Sequence, residues 1–435
     1  MFIVFALLAL AVLVSANWYL WRRLFRDTTS GPGWVRRVGA VVIGGGWALA
    51  VAALVAERTG APFWLQRVLA WPGFLWLALS VYLLLAVVAG ELVRPLLRRF
   101  LELRDGRRER AVAVVPRPES VPAGAPAEKP QEAVSLPQEP GDGGPVSEEP
   151  RGPGSTTLAP APSRRLFVSR IVAGAAAAAA VGTVGQGTYG VLRGPKVKRV
   201  TVPLAKLPRA AHGYRIAVVS DIHLGPVLGR GFAQKVVDTI NSTQPDLIAV
   251  VGDLVDGSVK DLGPAAAPLS QLRARHGSFF VTGNHEYFSG AEQWVDEVRR
   301  LGLRPLENDR TELAWFDLAG VNDIAGESEG QGPDFAKALG DRDTARACVL
   351  LAHQPVQIHD AVDHGVDLQL SGHTHGGQLW PGNLVAKAAN PTVAGLERYG
   401  DTQLYVSRGA GAWGPPTRVG APSDITVIEL ASKQA

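Results

Sequence analysis

Histidine, aspartate and asparagine side chains recur in short clusters through the second half of this 435-residue chain. All nine histidines lie between His212 and His375. Imidazole nitrogens, carboxylate oxygens and amide oxygens are ligands for divalent metal ions such as manganese, iron and zinc. A His-x-His pair alone is a weak indication of a metal site, so the prediction of such a site depends on the other clusters. In chain order the clusters are Asp221-Ile222-His223, Gly252-Asp253-Leu254-Val255-Asp256, Gly283-Asn284-His285-Glu286, His353-Gln354-Pro355 and Gly372-His373-Thr374-His375.

An apolar run precedes each cluster and indicates the element that positions it. Continuous apolar runs bounded by turn residues predict strands that are buried on both faces. The carboxyl ends of such strands lie on related edges of a sheet, where open α/β folds bind ligands. Glycines beside His373 and His375 let the chain leave its strand, so that both imidazoles can aim at one point. We predict strands over residues 215–220, 247–251, 278–282, 348–352 and 366–370, the first four in one central sheet.

The order of these five clusters resembles the motif blocks of the calcineurin-like metallophosphoesterase family. The resemblance covers about half the chain, roughly residues 198–429. It implies a four-layer α/β/β/α sandwich and a two-metal site. The alternation of strand-like and helix-like patterns by itself favours an α/β sandwich. Residues 315–318, 403–407 and 424–430 are expected in the second sheet, and residues 198–203 are expected to form an edge strand.

By this resemblance, two divalent metal ions, of manganese, iron or zinc, are held by seven side chains. Asp253 would bridge the two ions, because a carboxylate offers two oxygens, and a shared hydroxide would attack phosphorus. Two aspartates leave an excess of about two positive charges, which suits a phosphate ester anion. The resemblance assigns Asp221, His223, Asp253 and His375 to the first ion, and Asp253, Asn284, His353 and His373 to the second.

Residues beside the ligands receive further expected roles. The resemblance makes His285 the residue that stabilises the transition state or protonates the leaving oxygen, and Asp253 is the second catalytic residue, as the bridging ligand. Asp256 and Glu286 would orient ligand histidines, or else merely cap their loops. Arg408, at the end of a predicted strand, is a possible substrate contact. Aromatic residues near the clusters could line a substrate pocket or belong to the core or surface, and these are Tyr287, Phe288, Trp380 and Trp413.

The composition excludes several classes of protein. Cys348 is the single cysteine, so neither a disulfide framework nor a cysteine-rich metal site is possible. The net charge is only +4. Basic residues cluster beside apolar segments rather than among aromatic residues, which indicates membrane topology and argues against nucleic-acid binding.

Residues 1–104 are predicted to form a membrane anchor with three transmembrane helices, over residues 2–20, 38–55 and 71–90. Arginines follow the first and third spans, whereas only Arg58 and Arg67 supply cations between the second and third. The positive-inside rule therefore places the N-terminus outside the cytoplasm. A cleaved signal peptide is the alternative for residues 2–20, but no positively charged segment precedes them.

Residues 105–162 are predicted to be a disordered linker, because a Pro-, Gly- and Glu-rich composition without aromatic residues cannot bury enough surface. Residues 163–192 begin with Ser163-Arg164-Arg165-Leu166-Phe167-Val168, which resembles a twin-arginine export signal, and continue into a fourth apolar helix. The alternative is that these arginines are ordinary cytoplasmic flanks. Either interpretation carries the catalytic half, residues 198–430, across the membrane.

The predicted function is that of a membrane-anchored, metal-dependent phosphoesterase, similar to bacterial membrane-associated phosphodiesterases. Its expected partners are the membrane, a phosphate ester from lipid or cell-wall material, and a twin-arginine translocase during export. One alternative is a pyrophosphatase acting on a UDP-linked acylated glucosamine, which would require a cytoplasmic site. The other is a non-catalytic metal-binding sensor.

Overall fold

Two six-stranded β-sheets form the second half of the molecule in a computed structural model that describes residues 2–113 and 164–434. The strands are β1 (Lys196–Leu204), β2 (Tyr214–Val219), β3 (Leu247–Val251), β4 (Ser278–Val281), β5 (Arg304–Pro305), β6 (Asp309–Glu312), β7 (Phe316–Gly320), β8 (Ala347–Leu351), β9 (Leu368–Ser371), β10 (Gly395–Tyr399), β11 (Thr402–Val406) and β12 (Asp424–Ser432). The first sheet has the order β1-β12-β2-β3-β4-β5 and the second β10-β11-β9-β8-β7-β6. Both sheets are mixed: β2, β3 and β4 run parallel, whereas β12 is antiparallel to β2.

Helices flank both sheets and precede them. They are α1 (Phe2–Trp21), α2 (Trp34–Arg58), α3 (Phe63–Ala113), α4 (Arg164–Leu192), α5 (Arg230–Ser242), α6 (Val259–Ala266), α7 (Asn284–Ser289), α8 (Ala291–Arg300), α9 (Phe335–Leu339), α10 (Ile358–Asp363) and α11 (Gly382–Ala389). Phe232 of α5 and Trp294 of α8 lie on the buried faces of their helices.

The predicted α/β/β/α layering is confirmed, because successive residues of a strand pack alternately into two different hydrophobic cores. In β2, Ile216 and Val218 face the other sheet, where they pack in one cluster with Phe316 and Leu318 of β7. The alternate residues of β2 pack instead with α5, α6 and α8, and the outer face of the second sheet packs with α9 and α10. The strand runs are continuously apolar because both faces are buried.

The allocation of two predicted strands to sheets was wrong. We placed residues 348–352 with the central strands, but β8 lies inside the second sheet, between β7 and β9. We placed residues 424–430 in the second sheet, but β12 lies in the first, between β1 and β2. An apolar run indicates burial but does not identify the neighbouring strand. The predicted edge strand at residues 198–203 is confirmed as β1.

Three of the described helices are long and apolar enough to cross a membrane: Trp34–Arg58, Phe63–Asp105 and Arg164–Leu192. They contain the spans predicted over residues 38–55, 71–90 and 171–191. The predicted first span coincides with the uncharged helix α1. Helix α3 continues to Ala113, nine residues past the predicted end of the anchor at residue 104. The rest of the predicted linker, residues 114–162, and Ser163 lie outside the described residues.

The apolar helices pack directly against the catalytic half. The Tyr82 hydroxyl of α3 donates a hydrogen bond to the Trp380 carbonyl at 2.9 Å. The Thr188 hydroxyl of α4 lies 2.7 Å from that of Thr417. The turn between α2 and α3 reaches the side of the molecule on which β2, β3 and β4 end, where Arg58 stacks on Phe288. The helical and catalytic halves therefore share a surface beside the predicted site.

Candidate metal centre

All seven predicted metal ligands converge at the carboxyl ends of strands from both sheets. Residues 221 and 223 follow β2, residue 253 follows β3, residue 284 follows β4, residue 353 follows β8, and residues 373 and 375 follow β9. Three groups of three ligand atoms, each within 4.8 Å of one another, could hold a metal ion. They are Asp221 with His223 and His375, Asp253 with His353 and His373, and His223 with Asp253 and His285. Each of the first two groups falls within one predicted ligand set, the third includes His285 from outside both sets, and the assignment of each residue to an ion stays a prediction.

The first group is held together by contacts between its own members. The Nε2 atoms of His223 and His375 lie 3.0 Å apart, and His375 Nε2 lies 3.3 Å from Asp221 Oδ1. The backbone N–H of His373 donates to both carboxylate oxygens of Asp221, at 3.0 and 3.1 Å. Burial and the neighbouring charges of His223 and Arg418 lower the pKa of His375, which favours the neutral imidazole that a metal requires.

The second group surrounds Asp253. Its Oδ2 lies 3.1 Å from His353 Nε2 and 3.7 Å from His223 Nε2, so one carboxylate borders both groups. Asn284 Oδ1 lies 3.0 Å from His373 Nδ1. Burial, reinforced by the charge of His353, lowers the pKa of His373 to about 4. The position of Asp253 is what a bridging ligand requires.

His353 tests whether these residues fit a metal ion. Its Nδ1 is hydrogen bonded to the Val251 carbonyl at 2.9 Å, so the ring is oriented with Nε2 toward the cluster. Nε2 is buried and, although it lies 3.1 Å from Asp253 Oδ2, it makes no hydrogen bond of good geometry among the described residues. Burial lowers the pKa of His353, but the charges of Asp253 and Asp221 outweigh it and raise the pKa well above the usual value. A positive charge is therefore favoured at this position, and a divalent cation would supply it.

Left-handed backbone conformations aim the ligands. Five of the seven have positive φ: Asp221 (51°), His223 (48°), Asp253 (54°), His373 (71°) and His375 (52°). Positive φ is uncommon outside glycine, although aspartate and histidine tolerate it better than most residues. Such conformations persist where the surrounding structure enforces them, and they concentrate at functional sites. The strands β2, β3 and β9 are thus followed by sharp turns that direct polar side chains into the cluster.

Asp256 connects His285 to His223. Its Oδ1 accepts from Nδ1 of His223 at 2.9 Å and lies 2.7 Å from Nδ1 of His285. Burial opposes the ionised carboxylate, but the two histidines outweigh it and lower the pKa of Asp256 to about 2. Burial likewise lowers the pKa of His285, but Asp256 outweighs it and raises the pKa to about 9. Asp256 therefore orients one ligand histidine, as predicted, and keeps His285 protonated near neutral pH.

Glu286 differs from the expectation that it orients a histidine. Its carboxylate accepts backbone N–H bonds from Gly283 at 2.6 Å, Asp253 at 2.9 Å and Leu254 at 2.8 Å. Burial and the charge of Asp253 raise the pKa of Glu286 to about 7, although the backbone donors oppose this. Glu286 therefore fastens the loop after β3 to the loop after β4, which positions Asp253 indirectly.

Sequence reasoning missed Arg418. Its buried guanidinium donates to the carbonyls of Gly411, His375 and Ala421, and Nη2 lies 3.1 Å from His375 Nδ1. Burial lowers its pKa to about 10. Arg418 lies in the loop before β12 and has no motif around it, so only tertiary structure reveals its contact with the site.

Arg408 and the four aromatic residues occupy different positions. The Arg408 guanidinium lies 4.0 Å from the Asp424 carboxylate, and its role as a substrate contact stays a prediction. Phe288 and Trp413 contact the His285 ring, at centroid distances of 5.5 and 5.7 Å. Tyr287 is buried, and its hydroxyl donates to the Gln331 carbonyl, while Trp380 contacts α3.

A cavity of about 660 Å³ lies beside His285. Asp256, His285, Phe288 and Trp413 form its catalytic side. A substrate bound there would have its polar part against His285 and two partly exposed aromatic rings around it. The opposite side is formed by residues of α2, α3 and their connecting turn.

Comparison with known proteins identifies a family model and several relatives that are similar to this chain. A family model described as calcineurin-like phosphoesterase matches residues 214–377, a segment that contains all seven predicted ligands. An uncharacterized metallophosphoesterase of Helicobacter pylori strain J99 is 38% identical over 275 residues, covering 62% of this chain and 74% of that protein. One of Aquifex aeolicus is 35% identical over 243 residues, covering 55% of this chain and 92% of that protein.

A vertebrate relative combines the same domain with membrane segments. The transmembrane protein with metallophosphoesterase domain of Danio rerio is 41% identical over 256 residues, covering 55% of this chain and 58% of that protein. The chain thus spans well under two thirds of that relative's length. Together with the three apolar helices, this similarity indicates a membrane protein.

Proposed function

The chain belongs to the calcineurin-like metallophosphoesterase family, and from that premise we propose that it is a membrane-anchored, metal-dependent phosphodiesterase. Its substrate would be a phosphodiester from lipid or cell-wall material, on the outer side of the cell membrane. The observation that carries the proposal is the convergence of the seven predicted ligand side chains, with Asp253 between the two groups.

The residues around the cluster are suited to hydrolysis of a phosphoester. Asp221, His223, Asp253 and His375 would hold one ion, and Asp253, Asn284, His353 and His373 the other. When bound, the two cations would activate water and polarise the phosphoryl oxygens. His285, held protonated by Asp256 at 2.7 Å, can donate a hydrogen bond to the phosphoryl group or a proton to the leaving oxygen.

The proposed orientation rests on charge distribution and helix order. Four membrane helices return the chain after α4 to the side on which the N-terminus begins. The turn between α2 and α3 faces the catalytic half in the structure, and the topology drawn from the arginines puts both on the outer side.

Purified full-length protein in detergent should hydrolyse bis(p-nitrophenyl) phosphate when supplied with manganese, iron or zinc. Loss of a residue that only orients a metal ligand lowers activity by up to roughly 100-fold. Asp253→Asn should reduce turnover by more than that, because it removes a negative charge from both groups of predicted ligands. Faster turnover of p-nitrophenyl phosphate than of the diester would replace the phosphodiesterase by a monoesterase. Equal turnover by Asp253→Asn would refute the metal mechanism, and absence of turnover with every metal would favour the sensor alternative.

A further inference from the structure

The membrane helices form the second wall of the cavity beside His285. The turn that joins α2 to α3 and the adjoining ends of both helices line the cavity opposite its catalytic side. Residues of the helical half that line it come from the last turn of α2, the connecting turn and the first turn of α3, and they are Leu54, Glu57, Arg58, Gly60, Phe63 and Gln66. The cavity therefore has this wall only when the anchor is in place.

Arg58 brings a cation to the mouth of this cavity. Its guanidinium carbon lies 5.6 Å from the centre of the Phe288 ring, and that ring lies 5.5 Å from the ring of His285. Arginine binds phosphate oxygens through two parallel donors, which fixes the orientation of the group. Glu57, on the same turn, and Asp256, across the cavity, are acidic. Asp256 is itself paired with His285 at 2.7 Å, and Asp261 is a third carboxylate of the lining.

The apolar part of the wall continues into the helices. Leu54 and Phe63 face the cavity, and both belong to helices long and apolar enough to cross a membrane. Phe288 and Trp413 are 64% and 45% exposed at the opposite side. A ligand whose phosphate lies near His285 would therefore have apolar surface leading from its other end toward the bilayer.

We propose that the α2–α3 turn makes the cavity specific for a phosphodiester attached to a lipid tail, with Arg58 as a positioning residue for the phosphate. This inference rests on the proposed phosphodiesterase function and adds the substrate class to it. A headgroup diester with its acyl chains along Leu54 and Phe63 satisfies both the charged and the apolar parts of the cavity.

The test uses the full chain and two competitors of bis(p-nitrophenyl) phosphate hydrolysis. Dihexanoylphosphatidylglycerol, below its micelle concentration, carries the acyl chains, and glycerophosphoglycerol is the same headgroup without them. The acylated compound should have an inhibition constant about tenfold lower, the effect of burying about two methylene groups. Equal inhibition by the two compounds would refute the tail-directed specificity and would favour a cell-wall polymer.

Arg58→Gln should raise the inhibition constants of both competitors and the KM for the reporter about tenfold, as for loss of one charge-assisted hydrogen bond. Its kcat should stay within about twofold of wild type, and Arg58→Lys should restore part of the loss. Arg67→Gln, which removes an exposed arginine of α3 outside the cavity lining, is the matched control. If Arg58→Gln behaved like Arg67→Gln, the positioning role would be refuted.

Different results would refute the lipid-phosphate site and the proposed phosphodiesterase function. Lack of turnover by wild type with every metal would refute the function. In that event, equilibrium dialysis of radiolabelled dihexanoylphosphatidylglycerol against wild type, Arg58→Gln and Arg67→Gln decides the cavity's specificity by itself. Loss of binding only in Arg58→Gln would support the lipid-phosphate site, and equal binding by all three proteins would refute it.

Discussion

One carboxylate oxygen of Asp256 contacts two histidines that have different proposed roles. Oδ1 of Asp256 contacts Nδ1 of both His223, a proposed ligand, and His285, the proposed acid. The contact leaves Nε2 of His223 as the atom that faces the cluster. It also keeps His285, whose pKa is raised to about 9, protonated at neutral pH. Metal binding and proton donation are therefore linked through one side chain.

His285→Gln should separate catalysis from metal binding. The glutamine cannot donate a proton, so kcat should fall by about 10²- to 10⁴-fold, the usual worth of a general acid. The metal content, measured by mass spectrometry after gel filtration, should not change, because Asp253 and the other proposed ligands remain. His212→Gln, at an exposed loop position, is the control and should match wild type. A large loss of metal in His285→Gln would instead make His285 a ligand, as its proximity to His223 and Asp253 permits.

The loops that follow β3 and β4 pack closely against each other. An added Cβ at Gly283 would meet the carboxylate of Asp253 and, at 2.6 Å, its backbone nitrogen. These atoms belong to a backbone segment that Glu286 holds through hydrogen bonds from the N–H groups of Asp253 and Leu254, and Glu286 also accepts one from Gly283. The segment cannot move without shifting Asp253. The space for the bridging carboxylate thus depends on the absence of one side chain in the neighbouring loop.

Gly283→Ala should therefore lower metal affinity by about 10- to 100-fold, as loss of an outer partner of a ligand does, through displacement of Asp253. Gly229→Ala is the matched control, because Gly229 also precedes a helix, has φ of −103° against −107° for Gly283, and would place its Cβ in open space. Competition with a metal-binding dye measures both affinities. Equal affinities in the two variants would show that the loop after β4 yields without disturbing Asp253.

Sequence reasoning predicted the side chains that converge in the structure, but only part of the framework that positions them. The motif residues were recognisable because Asp221, Asp253 and His373 each follow an apolar run, and strand burial is a local pattern. Which sheet contains β8 and β12 was not recognisable, because strand pairing is decided by contacts distant in sequence. Arg418 was missed for the same reason: its contact with His375 joins residues 43 positions apart, and no motif surrounds it.

On the scale of the whole molecule, the anchor and the catalytic half form one surface around the cavity. Contacts of Arg58, Tyr82 and Thr188 with the catalytic half come from three different helices. The anchor therefore does more than retain the protein at the membrane. Its orientation decides which side of the bilayer supplies the substrate.

Reporter fusions should place the catalytic half outside the cytoplasm. Alkaline phosphatase, which is active only after export, should be active when fused after Ala435 and inactive when fused after Arg104. A green fluorescent protein that folds only in the cytoplasm should be fluorescent when fused after Arg104. The expectation follows from the arginines after the first and third predicted spans. The reverse pattern would put the site at the cytoplasmic face, where the UDP-linked substrate alternative applies.

The paired arginines before α4 can be tested as an export signal without a change of charge. Arg164→Lys combined with Arg165→Lys keeps both positive charges, so positive-inside flanks would still orient α4, whereas a twin-arginine signal would lose the guanidinium pair that defines it. We expect the alkaline phosphatase fused after Ala435 to lose its activity in this double variant. Arg98→Lys with Arg99→Lys, an exposed arginine pair in α3, should leave the reporter active. Activity retained in the Arg164 and Arg165 double variant would show that charge alone carries the catalytic half outward. The salt bridge of Arg164 to Asp105 at 3.0 Å should not confuse this result, because lysine can replace arginine in it.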